Sequence, residues 1–215
     1  MDIWQLLRKE MVLEWRQKYA ISGILLYVLS TVFIVYNATP VLAPEVWNAI
    51  FWVMILFASV NAVAKSFVQE HSNRELYYYT LVHPLSVWTA KVVYNTLLLT
   101  VLSLLTWAAF HFFRESPVLE GWLFAGVLFS GSLALSILFT FIAALTSKAR
   151  QSATLLAILG FPLLLPVLLT LLQLSAQSMG LLDGANTRQL LMTLLAVDLL
   201  LVGASLLLFP QLWRD

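Results

Sequence analysis

The sequence predicts an all-α membrane protein with six transmembrane helices. Apolar runs of suitable length, a scarcity of charge and an uneven distribution of basic residues all point to this class. Of the 215 residues, 61% are hydrophobic and 11% are charged, whereas a soluble domain carries about 25% charged residues. About 20 apolar residues in a helix cross the roughly 30 Å of bilayer hydrocarbon. The predicted spans are residues 20–37, 46–68, 87–113, 121–147, 152–175 and 189–209.

The basic residues predict how these helices are oriented. Arg114 and Arg188 fall on connections at one membrane face, and the rest of the 12 lysines and arginines fall at the other face. Because basic loops stay in the cytoplasm, we expect both termini there, with the protein in a bacterial inner membrane. The residues assigned to the cytoplasmic face are Arg8, Lys9, Arg16, Lys18, Lys65, Arg74, Lys91, Lys148, Arg150 and Arg214.

Composition and motifs exclude several classes of function. The net charge of +1 gives no support for nucleic-acid binding, and the absence of cysteine excludes disulfides and thiolate metal sites. The sequence has no nucleotide-binding glycine motif, so any ATP would have to be bound by another chain. No nucleophile and base, and no pair of acids, lie at one depth. We therefore expect a non-catalytic chain that binds no metal or cofactor directly, folded as one transmembrane domain over residues 1–215 with its bundle over residues 20–209.

Residues 1–19 have the pattern of a helix lying at the membrane interface. At 100° per residue, an apolar face forms, while Glu10 and Glu14 lie elsewhere. Arg8 and Lys18 fall within the apolar arc and would have to extend their charged ends to water. The apolar face consists of Trp4, Leu7, Met11, Val12, Trp15 and Tyr19.

The connection over residues 69–86 is the only sizeable one on the basic side. Residues 70–81 can form a helix of about three turns that Pro84 would stop, because proline disfavours α geometry at the residue before it. Tyr77, Tyr78 and Tyr79 cover most sides of that helix. Tyrosine is enriched both at membrane surfaces and at protein interfaces. The pattern therefore fits a helix anchored on the inner leaflet, a docking helix for a cytoplasmic partner, or both.

Three residues inside the predicted spans are candidates for a gating or switching role. Asp198 is an acid deep in the sixth span, where it must face protein or a wet cavity. It fits either an interhelical hydrogen bond to a Ser or Thr, or a part in conformational switching. Pro162 and Pro166 each remove a backbone hydrogen bond from the fifth span, so we expect a kink or an unwound turn there. That irregularity fits plain packing as well as a moving part.

Two further features favour structural roles. Small residues recur in the fourth span, and Gly126 and Ser130 among them have the small-x-x-x-small spacing that lets membrane helices approach closely, so we expect packing there. The small residues are Gly126, Ser130, Gly131, Ser132, Ala134 and Ser136. His111, near Trp107 and Phe112, could suggest haem contact, but a lone histidine among interfacial aromatics favours a structural role. His71 and His83 lie on the cytoplasmic side, apart from His111, so no metal site is predicted.

The layout of the chain resembles the CcmB family, the haem exporter protein B of cytochrome c maturation, within the ABC-2-type transporter permeases. The likeness covers most of the chain: a charged amphipathic N-terminus, a family-like loop, and a short basic link before a proline-containing fifth span. An Asn-Arg pair stands before Glu75, where many relatives have a glycine. The residues that carry the resemblance are Glu70, Glu75, Leu76, Leu81, Pro84, Lys91, Arg150, Gln151, Ser152, Pro162 and Pro166.

The resemblance implies an ABC-2-like permease that pairs with a separate ATPase of the CcmA kind. It further implies CcmC-like and CcmD-like membrane partners, release of a haem-loaded CcmE-like chaperone, haem as the handled ligand, and by analogy two copies per complex. The ATPase would seat against the loop at residues 69–86, here called the coupling loop, and by the same resemblance against the N-terminal helix. The docking residues so implied are Glu70, Arg74, Glu75, Leu76, Tyr77, Tyr78, Tyr79, Leu81 and Pro84.

Two other functions are consistent with the same residues. One is an ABC-2 exporter of a drug, lipid or polysaccharide. The other is a membrane assembly scaffold that is not coupled to ATP, for which the tyrosine-rich helix would bind lipid alone. Recovery of an ATPase and of haem-handling subunits would distinguish the three.

Overall fold

The computed structural model describes residues 3–16, 18–39, 41–68, 84–113, 115–146, 152–182 and 187–212. Within these ranges all regular structure is α-helical, in agreement with the predicted fold class. The helices are α1 (Ile3–Arg16), α2 (Lys18–Ala38), α3 (Pro44–Val68), α4 (Pro84–Phe113), α5 (Gly121–Thr146), α6 (Ser152–Ser178) and α7 (Thr187–Leu212).

Five of these helices, α3 to α7, are long and apolar enough to cross a membrane. In lipid each backbone N–H and C=O must find a partner, and a helix satisfies these groups within one segment. The described apolar part of α2, Leu25–Ala38, is shorter than a span. A multi-pass membrane protein is therefore confirmed, whereas the count of six spans stays a prediction.

The helices of the bundle meet at two opposite ends. We call the end at which α3 finishes and α4 begins, next to residues 69–83, the loop end, and the opposite end the distal end. At the distal end the start of α3, the end of α4 and the start of α5 meet, because Trp47 contacts Phe110 and Phe124 with ring centroids 5.1 and 6.0 Å apart. Successive helices therefore run antiparallel.

α5 is the central helix, and α3, α4, α6 and α7 all pack against it. Its sequence explains that position, because small residues alternate with bulky apolar ones and let neighbouring helices approach. A β-carbon built at Gly131 would lie 2.6 Å from Cη2 of Trp52, so only glycine fits beneath that indole ring.

Aromatic side chains fill the distal half of the core. Trp47 stacks on Phe51 with centroids 5.2 Å apart, and Phe51 lies 5.4 Å from Phe124. Trp107 meets Phe124 edge to face at 5.1 Å. Such pairs add about 0.5–1.5 kcal/mol each beyond the area they bury. The distal half of the bundle is thus joined across α3, α4 and α5.

α1 lies against the membrane-spanning helices through a small separate apolar cluster. Leu6 is 3% exposed and packs with Val87 and Ala90 in the first two turns of α4. Trp4 remains 71% exposed on the other side of α1. The helix predicted within residues 1–19 is therefore formed, while its position at the membrane interface stays a prediction.

Candidate functional site: interhelical polar contacts and helix ends

The predicted ATPase-docking residues fall mostly outside the described part of the chain. Glu70, Arg74, Glu75, Leu76, Tyr77, Tyr78, Tyr79 and Leu81 lie there, as do His71 and His83. Pro84 is the first residue of α4, where its fixed φ suits the start of a helix and its missing N–H is not needed. The coupling loop thus enters α4 directly, three residues ahead of Val87.

The entry point of that loop is the place where α1 packs. Val87 and Ala90 are buried against Leu6, within two turns of Pro84. A displacement of the start of α4 must therefore either carry α1 along or break this apolar contact. The structure brings together two segments, the N-terminal helix and the coupling-loop exit, that the resemblance assigns to one partner.

Beyond this contact, a line of buried polar side chains joins α4 to α5. Asn95 Nδ2 donates a hydrogen bond to Thr140 Oγ1 at 3.1 Å, and Ser136 Oγ donates to the Val92 carbonyl at 2.9 Å. Further along, the hydroxyl oxygens of Ser103 and Ser132 lie 3.5 Å apart. We call these contacts the α4–α5 seam. All its polar side chains are buried, and their hydrogen bonds are made within the protein, to side chains or to backbone carbonyls.

Lys91 extends the same face of α4 toward the loop end. The sequence places it among the cytoplasmic basic residues, but it lies two turns inside α4 and is only 1% exposed. A lysine side chain in a bilayer commonly reaches the surface along its apolar stem. Here the side chain is enclosed by protein, one helical turn before Asn95 on the same side of α4.

A second polar cluster ties α3 to α6 near the distal end. Trp52 Nε1 donates to Ser175 Oγ at 2.8 Å, and Ser175 Oγ donates to Asn48 Oδ1 at 2.7 Å. Asn48 Nδ2 in turn donates to the Leu172 carbonyl at 2.9 Å. We call this cluster the α3–α6 knot. Asn48, Trp52 and Ser175 were missed by the sequence analysis, although a lone Asn within an apolar span is a signal that could have revealed one of them.

Asp198 faces the interior of the bundle, as its position in the sequence requires. It is 6% exposed and shares one stripe of α7 with the buried Leu194, Leu201 and Ser205. Its Oδ1 has no hydrogen-bond partner among the residues that the structure describes. The interhelical bond to a hydroxyl, which was one of the two interpretations, is therefore not made by this oxygen.

Pro162 and Pro166 lie in the loop-end half of α6, and both are exposed on the helix surface. α6 continues through both of them, so the unwound turn considered from the sequence is not present. Each proline still removes one backbone N–H from the helix ladder. Thr170 Oγ1 donates to the Pro166 carbonyl at 2.8 Å, which braces the turn on the distal side of the second proline.

The small residues of α5 pack as predicted at Gly131, Ser132, Ala134 and Ser136, which are all buried. Gly126 is exposed, and a β-carbon built on it has no atom of the described residues within 4 Å, so this end of the motif packs against no part of the chain that the structure describes. The close approach occurs instead at Gly131. His111 is exposed at the distal end of α4, and among the described residues no group of three His, Cys, Asp or Glu could hold a metal ion.

Comparison with known proteins identifies the family. The family model described as CcmB protein matches residues 1–206, and the chain therefore belongs to the CcmB family. No curated protein and no solved structure matches it. Membership makes this chain a membrane component of the haem export system of cytochrome c maturation, in a transporter permease family that is generally non-catalytic.

Proposed function

We propose that this chain is the permease subunit through which a separate CcmA-like ATPase drives cytochrome c maturation, by moving helices and not by conducting haem. The nucleotide would be bound by the ATPase, since the sequence has no nucleotide-binding motif. Haem would be handled with CcmC-like and CcmD-like membrane subunits, ending in release of the haem-loaded CcmE-like chaperone. By analogy with ABC transporters, two copies of the chain would meet two ATPases.

In this proposal the loop end faces the cytoplasm of the bacterium and the ATPase seats there. Arg8, the coupling loop and the start of α4 all belong to that end, and most basic residues of the chain share it. Positively charged segments are retained on the cytoplasmic side during insertion. Both termini would then be cytoplasmic as well.

The contact between α1 and α4 is the observation that carries the proposal. Leu6 lies on Val87 and Ala90, directly after the exit of the coupling loop. An ATPase that pushes the loop would therefore move α1 and the first turns of α4 together. Two segments that the same partner is expected to touch are already joined by apolar packing.

The α4–α5 seam would carry that movement into the bundle. Asn95, Thr140 and Ser136 hold α4 and α5 in register through bonds of 3.1 and 2.9 Å. Since α5 contacts α3, α6 and α7 as well, its displacement reaches most of the bundle. The buried state of the seam supports force transmission in preference to an open polar path.

Asp198, Pro162 and Pro166 would act as the switching elements. A buried carboxyl group without a partner for Oδ1 is unfavourable, so a rearrangement that supplies a donor would be favoured. Two prolines in one half of α6 lower the cost of bending there. Both features fit a bundle with more than one stable arrangement.

Affinity purification of this chain from its native membrane, with partners identified by mass spectrometry, tests the proposal. The test variant is Glu75→Ala with Leu76→Ala, in the coupling loop. The matched control is Glu115→Ala with Leu119→Ala, which removes the same residue types from the exposed distal connection. We expect the ATPase with the unaltered chain and the control, and its loss with the coupling-loop variant.

Each other outcome has a definite meaning. Normal ATPase recovery with the coupling-loop variant would show that the partner docks elsewhere. An ATPase without haem-handling subunits would favour an ABC-2 exporter of another substrate. If no ATPase is recovered with the unaltered chain or with either variant, the result would favour a membrane scaffold that is not coupled to ATP.

A further inference from the structure

Hydrogen bonds and close packing tie together the distal ends of α3, α5 and α6. Asn48, Trp52 and Ser175 are each at most 4% exposed, and their side chains bond to one another and to the α6 backbone. The Ser175 hydroxyl has one proton and lies 2.7 Å from both Asn48 Oδ1 and the Leu171 carbonyl. It can therefore serve either acceptor while still receiving the bond from the indole.

Helix α5 also takes part in this arrangement, through its contact with the Trp52 ring. The Trp52 ring that donates to Ser175 rests over Gly131, where a β-carbon would come within 2.6 Å of Cη2 and within 3.0 Å of Leu171 Cδ2. The indole is held at its nitrogen by a hydrogen bond, and the Cη2 and Cζ3 atoms of its six-membered ring lie close to α5 at Gly131. A rotation of α3 at this point would break the hydrogen bond to Ser175 or push the indole ring into α5.

The connection between α4 and α5 adds a third tie. The backbone N–H groups of Leu119 and Glu120 both donate to the Ser178 carbonyl at 2.9 Å, and Ser178 Oγ donates to the Ser175 carbonyl at 2.6 Å. Gly180 follows with a φ of 69°, a left-handed conformation suited to glycine that ends α6 at this point. The start of α5 is thus bonded directly to the end of α6.

The loop-end half of α6, in contrast, is held less firmly. Pro162 and Pro166 interrupt its hydrogen-bond ladder and lie exposed on its surface, away from the polar knot. Helix kinks concentrate at prolines because the missing bond lowers resistance to bending. One helix therefore combines a firmly held distal segment with a weakened segment near the loop end.

We propose that the distal ends of α3, α5 and α6 form a rigid unit, the distal cap, which stays closed throughout the working cycle. Movement is then confined to the loop-end halves of the helices, and α6 bends at its two prolines while its end from Ser175 to Ser178 stays fixed. The part of this inference that concerns a working cycle rests on the proposed function. It means that no passage opens between α3, α5 and α6 at the distal face.

Thiol labelling tests closure directly, since the natural chain has no cysteine to interfere. Ser175→Cys replaces a fully buried hydroxyl by a group of similar size, and Val41→Cys, at a site 83% exposed near the start of α3, is the control. A membrane-impermeant maleimide is applied to each face of native membranes with the complete complex, at rest and during ATP hydrolysis. We expect labelling of the control and less than a tenth of that rate at Ser175→Cys in every condition.

Labelling of Ser175→Cys that rises toward the control rate during ATP hydrolysis would overturn the proposal. Labelling at rest would do the same, because it would show the knot already open to water. The measurement at rest needs no partner, so a closed cap can be established even if the chain proves not to associate with an ATPase.

A covalent lock provides the second measurement. Glu120→Cys with Ser178→Cys would join the start of α5 to the end of α6 at neighbouring backbone positions. Ile142→Cys with Gly160→Cys is the loop-end lock, which would join α5 to the loop-end half of α6, because a β-carbon at Gly160 lies 3.3 Å from Ile142 Cδ1. Each pair is oxidised in the purified complex, and ATP hydrolysis is compared before oxidation, after it, and after reduction. We expect the distal lock to leave the rate within twofold and the loop-end lock to lower it at least tenfold. Inhibition by the distal lock that reduction reverses would show that the cap must open.

Discussion

Asn95 and Thr140, 45 residues apart in the sequence, are joined by a buried hydrogen bond of 3.1 Å that links α4 to α5. The bond uses Asn95 Nδ2, while Oδ1 of the same amide has no partner among the described residues. One of the two polar groups of this amide therefore already lacks a hydrogen-bond partner among the described residues. The remaining bond is the main reason that an amide is tolerated at a fully buried position of a membrane helix.

Thr140→Val should destabilise the protein by about 0.6 kcal/mol and by no more than about 1.7 kcal/mol, the average and the maximum measured for hydrogen bonds between membrane helices. Valine keeps the shape of threonine but leaves Nδ2 of Asn95 without an acceptor. The free energy of unfolding in mixed micelles, followed by loss of helical circular dichroism, measures the effect. Thr193→Val is the matched control, because that exposed hydroxyl donates only to the Gln189 carbonyl of its own helix at 2.9 Å.

A double substitution distinguishes the contribution of the hydrogen bond to stability from the cost of burying the amide. In Asn95→Leu with Thr140→Val both polar groups are gone, so stability should return to within about 0.5 kcal/mol of the natural protein or exceed it. A double variant that is less stable than Thr140→Val alone would show that the two residues do not act as a pair.

Gly131→Ala should lower the free energy of unfolding by about 1–3 kcal/mol, the usual effect of overpacking a core. The new methyl group would meet the Trp52 ring at 2.6 Å, and moving that ring breaks its bond to Ser175. Gly126→Ala in the same helix has open space at the β-carbon, so it should stabilise α5 by about 0.5–1 kcal/mol. Equal effects at the two glycines in a chemical unfolding experiment would contradict the assigned packing of α5.

Leu6→Ala should release α1 from α4. Loss of a buried leucine costs about 2 kcal/mol or more, and 2 kcal/mol raises the open population roughly 30-fold. Limited trypsin digestion measures the opening, because Arg8 lies in α1 and is itself exposed. Val12→Ala, at a half-exposed position of the same helix, should leave the cleavage rate unchanged. Equal cleavage of both variants would mean that Leu6 does not hold α1 in place.

Five of the six predicted spans correspond to helices long and apolar enough to cross a membrane, because lipid imposes a length and a composition on each span. The predicted segment 87–113 corresponds to Pro84–Phe113, and 189–209 corresponds to Thr187–Leu212. The sequence did not show which face of each helix turns inward. Gly126 and Gly131 lie about 140° apart on the helix, and both sides of a membrane helix are apolar, so small residues alone could not distinguish the buried glycine from the exposed one.

The polar contacts were harder still to anticipate. Ser175 and Asn48 are 127 residues apart, and nothing local pairs them, since a serine in a helix normally bonds to its own backbone and Ser175 can do so with Leu171. Asp198 was recognised because one acid in an apolar span stands out. Its surroundings depend on the packing of α7 against α4, α5 and α6, which only the assembled bundle defines.

Asp198→Leu should make the protein more stable and less active. Leucine has the same branched shape, with methyl groups that are larger than the two oxygens they replace. It removes an oxygen that has no partner among the described residues, so we expect a gain of about 1–3 kcal/mol in the free energy of unfolding. If the carboxyl group serves switching, a bundle stabilised in its present arrangement will change state less readily. Covalently bound haem in c-type cytochromes, measured in membranes from cells carrying the variant, should fall at least tenfold.

Asp198→Asn, which keeps the shape and a polar oxygen, is the control and should retain more activity than Asp198→Leu. A leucine variant with full cytochrome c formation would show that Asp198 has no part in the mechanism, while a leucine variant that unfolds more easily would show that the carboxyl group has a structural partner.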